Sequence, residues 1–354
     1  MKNAAIAFLT IAALSCATAP QPVSRTAPPI WAGLTPGPYV VGFGSSIVAT
    51  PPHPLQVNVW YPAGNGGAPL RYSDYVLLSL TEKSPAPLTE EQRQSGLDEF
   101  TKYLTMGGVS GEHVKALANA EMYARRDAPA IAGKKFPLIY VAQGNGQTAS
   151  AQAILSEYLS SHGYVVVTTP SITRLTGPMT SDDDVAPKSV EQMKDIERAV
   201  ESVQQLPYVD TAVPIAVVGH SFGARGALIY AMHHPTSAIV SLEGGIGMAT
   251  GTRSMLDNTM VDLRVQLPPV LHFYELNDPR VIPDFRLLRA LHTPDLELVE
   301  VKSMRHEHFT SDGFGAAMLP DIAALSKAAP GLKDDLHTVA EQTLAFIAKQ
   351  AKRG

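Results

Sequence analysis

Ser221 stands in Gly219-His220-Ser221-Phe222-Gly223, a G-x-S-x-G pattern that follows the apolar run Pro214 to Val218 and leads into Ala224 to His233. A serine so placed can do nucleophilic chemistry. On a sharp strand-to-helix turn its hydroxyl is lifted clear of the backbone and can attack a carbonyl carbon. Glycine at 219 and 223 suits such a turn, because side chains there would strike neighbouring backbone. Five letters alone are a weak signal, and the strand before them and helix after them supply the weight. The plain alternative is a glycine-rich turn carrying an idle serine.

A serine hydroxyl is a poor nucleophile at neutral pH, so Ser221 needs a base within hydrogen-bond reach and an acid that orients the base. In this kind of site the chain order is Ser, then Asp or Glu, then His. Two histidines follow the last strand-like run, His306 and His308 in Met304-Arg305-His306-Glu307-His308-Phe309-Thr310. Two acids fit the order: Glu243, which opens Glu243-Gly244-Gly245, and Asp278 in Asn277-Asp278-Pro279. Either could instead be a turn or capping carboxylate. The developing oxyanion needs two backbone donors, one of them the N–H of Phe222, the residue after the nucleophile. No metal is expected: His306-Glu307-His308 lacks the H-E-x-x-H spacing, and Ser181-Asp182-Asp183-Asp184 lacks the spacing of a calcium loop and reads as solvated charge.

These residues must be carried by a scaffold, and the chain supplies one. Phe136 to Val141, Tyr164 to Thr169, Pro214 to Val218, Ala238 to Leu242, Val270 to Tyr274 and Leu296 to Val301 are short apolar runs suited to buried parallel strands. Helical patterns lie between them, at Ser150 to Ser161, Val190 to Leu206 and Ala224 to His233, with another at Leu336 to Lys349. This alternation predicts an α/β fold with a mostly parallel, doubly wound sheet. Val57 to Tyr61 reads as a strand near a sheet edge, paired with one around Tyr39 to Phe43 or Ser46 to Ala49. An extra segment, about residues 70–135, interrupts the alternation with helical stretches near Glu90 to Tyr103 and Glu112 to Arg126. It has two candidate roles, a lid beside the pocket or cover for a sheet edge.

The 354 residues carry a formal charge of −5, with no basic excess to suggest nucleic acid. Met1 to Ala19 has the layout of an export signal: Lys2, a short apolar run, then small residues. The one cysteine, Cys16, ends that segment in Ala13-Leu14-Ser15-Cys16, a degenerate lipobox, so lipidation and simple cleavage stand as alternatives. Residues 20–38 read as a flexible tether and 39–354 as the catalytic domain. The expected location is outside the cytoplasm: periplasmic, an outer-membrane lipoprotein held to a membrane through Cys16, or secreted.

From Phe136 to Gly226 the chain resembles the platelet-activating-factor acetylhydrolase-like and dienelactone-hydrolase-like branch of the α/β hydrolases. The resemblance runs through Pro137-Leu138-Ile139-Tyr140-Val141, Ser161-His162-Gly163-Tyr164, Pro207-Tyr208-Val209-Asp210 and the G-x-S-x-G turn, with Val59-Trp60-Tyr61-Pro62-Ala63 outside that stretch. It implies an α/β-hydrolase fold and a serine esterase. Leu242-Glu243-Gly244 sits where acetylhydrolase-like members carry the acid, 22 positions beyond Ser221, whereas the dienelactone-hydrolase type would select Asp278. The family's H-x-x-F pattern selects His306. It also implies Asn145 as the second oxyanion donor, although Gln143-Gly144 replaces the usual His-Gly before it. Dienelactone hydrolases themselves use a cysteine, and this chain has a serine.

The expected activity is hydrolysis of a small-molecule carboxylic ester through an acyl-enzyme, with Ser221 as nucleophile, His306 as base and Glu243 as acid, and with no cofactor. The same constellation could act on amides or transfer acyl groups. A binding or scaffold protein that keeps the fold without catalysis is the alternative of a different class.

Overall fold

The computed structural model describes residues 26–49, 51–84 and 86–351. The expected export segment 1–19 and Cys16 lie outside the described residues. Among the described residues eleven strands form one sheet: β1 (Val40–Val48), β2 (Leu55–Ala63), β3 (Ala68–Arg71), β4 (Glu121–Arg126), β5 (Phe136–Ala142), β6 (Val165–Thr168), β7 (Val209–Asp210), β8 (Ile215–His220), β9 (Thr236–Leu242), β10 (Val270–Tyr274) and β11 (Leu296–Glu300). Their order is β11-β10-β9-β8-β5-β6-β2-β1-β4-β3, with the short β7 paired to β5. From β11 to β6 every neighbour is parallel, and β2 runs antiparallel to both β6 and β1.

The inner parallel strands β5, β6, β8 and β9 are mostly apolar and buried because helices cover both faces. Successive side chains alternate between two cores. Ile139, Val141, Val166 and Val218 point to one, with the helices Ala153–Ser161 and Leu332–Ala351. Leu138, Tyr140, Val167 and Val217 point to the other, with the helices Val185–Gln204 and Gly223–His233. The chain winds to β6 on one side of β5 and to β8 on the other, so a crevice opens beyond the carboxyl ends of β5 and β8.

Three expectations are corrected. The segment about residues 70–135 is not purely helical. Its second helical stretch splits into the helix Gly111–Ala118 and β4, and β4 pairs parallel with β1 while β3 adds beyond it. Glu121-Met122-Tyr123-Ala124-Arg125-Arg126 is rich in helix formers, and sheet pairing overrides that preference. The same addition moves β2 away from the sheet edge, and all nine of its residues are buried or nearly so. The tether is also shorter than read from composition: a 3-10 turn at Pro29–Trp31 inserts Ile30 and Trp31 into the core, and Leu34 follows them.

One buried carboxylate joins these additions to the sheet. Glu157, on the helix Ala153–Ser161, accepts hydrogen bonds from Trp31 Nε1 (3.0 Å), the Tyr75 hydroxyl (2.7 Å) and the backbone N–H groups of Tyr123 (2.9 Å) and Ala124 (3.0 Å). The Tyr75 hydroxyl in turn accepts from Trp60 Nε1 at 2.8 Å. The four donors offset the cost of burying the charge, which by itself raises the Glu157 pKa.

Candidate active site

Ser221 follows β8 with φ of 51°, a left-handed conformation that a non-glycine residue adopts only when its surroundings hold it there. They do so here through backbone. The Ser221 N–H donates to the Leu242 carbonyl at 3.2 Å, and its carbonyl accepts from the Gly245 N–H at 2.6 Å. A Cβ at Gly219 would lie 2.4 Å from Ala224 Cα, and one at Gly223 would lie 2.3 Å from the Ala142 carbonyl oxygen. Both glycines therefore let the turn pack against the end of β5 and the start of the following helix. Phe222 is buried and opens that helix, while Asn145 lies on the exposed loop after β5.

Every other candidate hangs from the same sheet edge. Glu243 follows β9, Asp278 lies beyond β10, and His306 opens a 3-10 turn, His306–Phe309, beyond β11. His306 Nε2 lies 2.9 Å from Ser221 Oγ, and His306 Nδ1 lies 2.7 Å from Glu243 Oε2. Three side chains separated by up to 85 positions thus form one continuous hydrogen-bonded line. Burial lowers the His306 pKa, with Glu307 and Asp278 opposing it, so the imidazole is neutral and ready to accept a proton near pH 7.

The two alternatives are occupied elsewhere. Asp278 is clasped by Arg280, with Nε and Nη2 at 2.6 to 3.2 Å, and this pairing holds its carboxyl down to about 2. His308 Nδ1 accepts the Arg305 backbone N–H at 2.9 Å, which ties the ends of the loop bearing His306. His308 is fully buried, and its pKa falls to about 4 by desolvation and then the nearby Arg305 charge.

Two residues at this edge escaped the sequence reading. Gln147 Oε1 accepts the Gly144 N–H at 2.7 Å and lies 3.0 Å from His220 Nδ1. On its other side His220 Nε2 lies 3.2 Å from the His306 carbonyl. His220 thus sits between the loop after β5 and the loop bearing His306, with one N–H to give to either, and Gln147 braces the turn after β5. The signal was present in the polar run Gln143-Gly144-Asn145-Gly146-Gln147, whose last member has the length to fold back. The second residue is Glu275, wholly buried directly after β10, with its backbone N–H 3.4 Å from Glu243 Oε1. Burial first, then the charge and hydrogen bond of Glu275, push the Glu243 carboxyl up to about 10.

A cleft of about 670 Å³ adjoins the loop after β5. Tyr72, Leu80, Phe100 and Tyr103 of the extra segment line it together with Gln147 and Glu307. Among the described residues no group of three His, Cys, Asp or Glu side chains is placed to hold a metal ion.

No protein-family model and no curated protein matches this chain. Among solved structures it is similar to a ferulic acid esterase from Streptomyces cinnamoneus, at 16% identity over 89% of this chain and 90% of that one, with a TM-score of 0.60. A dienelactone hydrolase from Anabaena variabilis aligns at 13% identity over 88% of this chain and 99% of that one, with a TM-score of 0.46.

Proposed function

Because the chain has the α/β-hydrolase fold, we propose that it is a serine hydrolase of carboxylic esters. The observation that carries this reading is the line from Ser221 Oγ through His306 to Glu243, at 2.9 and 2.7 Å. In the proposed cycle Ser221 attacks the ester carbonyl as His306 Nε2 takes its proton. The backbone N–H groups of Phe222 and Asn145 receive the oxyanion. His306 then protonates the departing alcohol, and water releases the acyl group by the same steps in reverse. Glu243 keeps the imidazole in the tautomer that presents Nε2 to the serine.

The cleft beside the loop after β5 is proposed to take the acyl group, with the helix Glu90–Met106 as its outer wall and candidate lid. Export, and attachment through a lipidated Cys16, belong to the proposal on the sequence pattern alone.

The test is hydrolysis of p-nitrophenyl esters from acetyl to palmitoyl, together with a ferulate ester because of the structural neighbour's activity. Wild type should turn over at least one member, and Ser221→Ala should lose several orders of magnitude in kcat. Equal rates in both proteins would sink the proposal. Inertness toward every ester, with no Ser221-dependent labelling by a fluorophosphonate, would favour the non-catalytic reading.

A further inference from the structure

The helix that follows Ser221 carries a buried cation without a partner. Arg225 is 5% exposed, and its Nε is sealed from water and makes no hydrogen bond. Among the described residues no carboxylate forms an ion pair with it. The carboxylate whose charge acts on it, Asp182, is exposed on the 3-10 turn Asp182–Asp184. Burial lowers the Arg225 pKa to about 10, with Asp182 opposing, so the guanidinium is charged at neutral pH. Burying an unpaired charge is costly, and an apolar side chain of similar volume would remove that cost.

The surroundings of Arg225 tie it to the groups that shape the turn at Ser221. Its guanidinium carbon lies over the Phe222 ring, 5.5 Å from the centroid, and its backbone N–H donates to the Phe222 carbonyl at 3.0 Å. The N–H of Phe222 itself is the proposed oxyanion donor. Gly245 and Gly251 make room for the guanidinium: a Cβ on Gly245 would lie 2.4 Å from Arg225 Cζ, and one on Gly251 would lie 2.7 Å from Nη2. Gly245 in turn gives its N–H to the Ser221 carbonyl at 2.6 Å, one of the bonds that hold the serine at a φ of 51°. One side chain therefore packs on the residue of the oxyanion donor and on the residue that grips the nucleophile's backbone.

We propose that Arg225 is a positioning residue for the oxyanion: it fixes Phe222 and Gly245 around Ser221, and its uncompensated charge favours the state in which the substrate oxygen is negative. This inference rests on Ser221 acting as the nucleophile. When Ser221 Oγ bonds the carbonyl carbon, the electron pair of the C=O π bond moves to oxygen and the hydroxyl proton goes to His306 Nε2, so one anion and one cation form together. The anion forms at the Phe222 N–H, where the helix Gly223–His233 begins, and Arg225 lies in the first turn of that helix. Its charge acts through a buried region that screens little, and it is in place before the reaction starts.

The experiment uses Arg225→Met and Arg225→Gln, neutral side chains of similar reach, and Arg225→Lys, which restores the charge. Each is assayed with p-nitrophenyl acetate and with a trifluoromethyl ketone, which an active Ser221 converts into a stable hemiketal oxyanion. Either neutral variant should lower kcat and weaken ketone inhibition by about tenfold or more with KM little changed, because the charge is used only once the oxyanion exists. Its thermal midpoint should be no lower than that of wild type, since an unpaired charge has left the interior. Arg225→Lys should recover most of the lost turnover and ketone affinity. Folded neutral variants with wild-type kcat and ketone affinity would overturn the proposal. A loss that tracks a fall in thermal midpoint and is not recovered by lysine would do the same, as the mark of a residue that only fills space. A wild type no faster than Ser221→Ala and indifferent to the ketone would sink the esterase reading and this inference with it, whereas an active wild type with unaffected variants would sink the inference alone.

Discussion

Glu243 and Asp278 leave the same edge of the sheet, and what separates them is the partner each already has. Asp278 is satisfied by Arg280, whereas Glu243 faces His306 Nδ1 at 2.7 Å. Glu243→Gln should therefore lower kcat by as much as about 10⁴-fold, since the amide cannot balance an imidazolium. Asp278→Asn should leave kcat close to wild type and show its effect in thermal melts, through the lost Arg280 pair. A larger kinetic loss in Asp278→Asn would move the acid's role to that residue. The pattern of types in the sequence narrowed the acid to these two, and a resemblance favoured one. The guanidinium that occupies Asp278 sits only two positions away, yet nothing in Asp278-Pro279-Arg280 states that the arginine folds back rather than reaching into solvent.

At the scale of elements, the extra segment is fixed at its inner side by Glu157 and leaves its outer helix exposed. The Tyr75 hydroxyl and the N–H groups of Tyr123 and Ala124 all end on that one carboxylate. Tyr103 and Met106 on the helix Glu90–Met106 are exposed. Glu157→Leu strands four buried donors at about 1–3 kcal/mol each, so urea unfolding should show a loss of more than about 3 kcal/mol or no soluble protein. Tyr75→Phe removes two bonds, the one given to Glu157 and the one accepted from Trp60 Nε1, and leaves that buried donor unpaired, so it should cost about 2–3 kcal/mol. A near-neutral Glu157→Leu would mean that the apolar packing of this segment holds it without the carboxylate. Periodicity found the helices of the segment and missed β3 and β4, because β4 pairs with β1 from far earlier in the chain and β3 pairs only with β4.

Over the whole molecule, covering both faces of the sheet leaves polar groups that water never reaches. His272 on β10 is one, with Nδ1 2.8 Å from Ser241 Oγ. Burial lowers its pKa from 6.5 to about 3, so it is neutral in the fold and takes a proton once unfolded. Between pH 6.5 and pH 3 the unfolded chain binds the extra proton, and this contribution to stability falls as pH falls. His272→Gln keeps a hydrogen-bonding group for Ser241 and removes the titration. Its unfolding free energy relative to wild type should improve by about 3 kcal/mol between pH 7 and pH 4. A difference that is flat with pH would show that His272 is not held neutral by the fold.

Sequence alone determined the local features: which runs are buried strands, where Ser221 turns sharply, and the order serine, acid, histidine. Those are set by side-chain polarity, branching and glycine over a few residues, so they can be read within a window. The tertiary structure decided what depends on neighbours distant in the chain. It placed His306 rather than His308 against Ser221, drew Glu275 in behind Glu243, bent Gln147 back on Gly144, and recruited Trp31 from the expected tether to Glu157. Each of these choices is made by a hydrogen-bond donor or acceptor that burial must satisfy, and the partner that satisfies it is fixed only when the strands are in register.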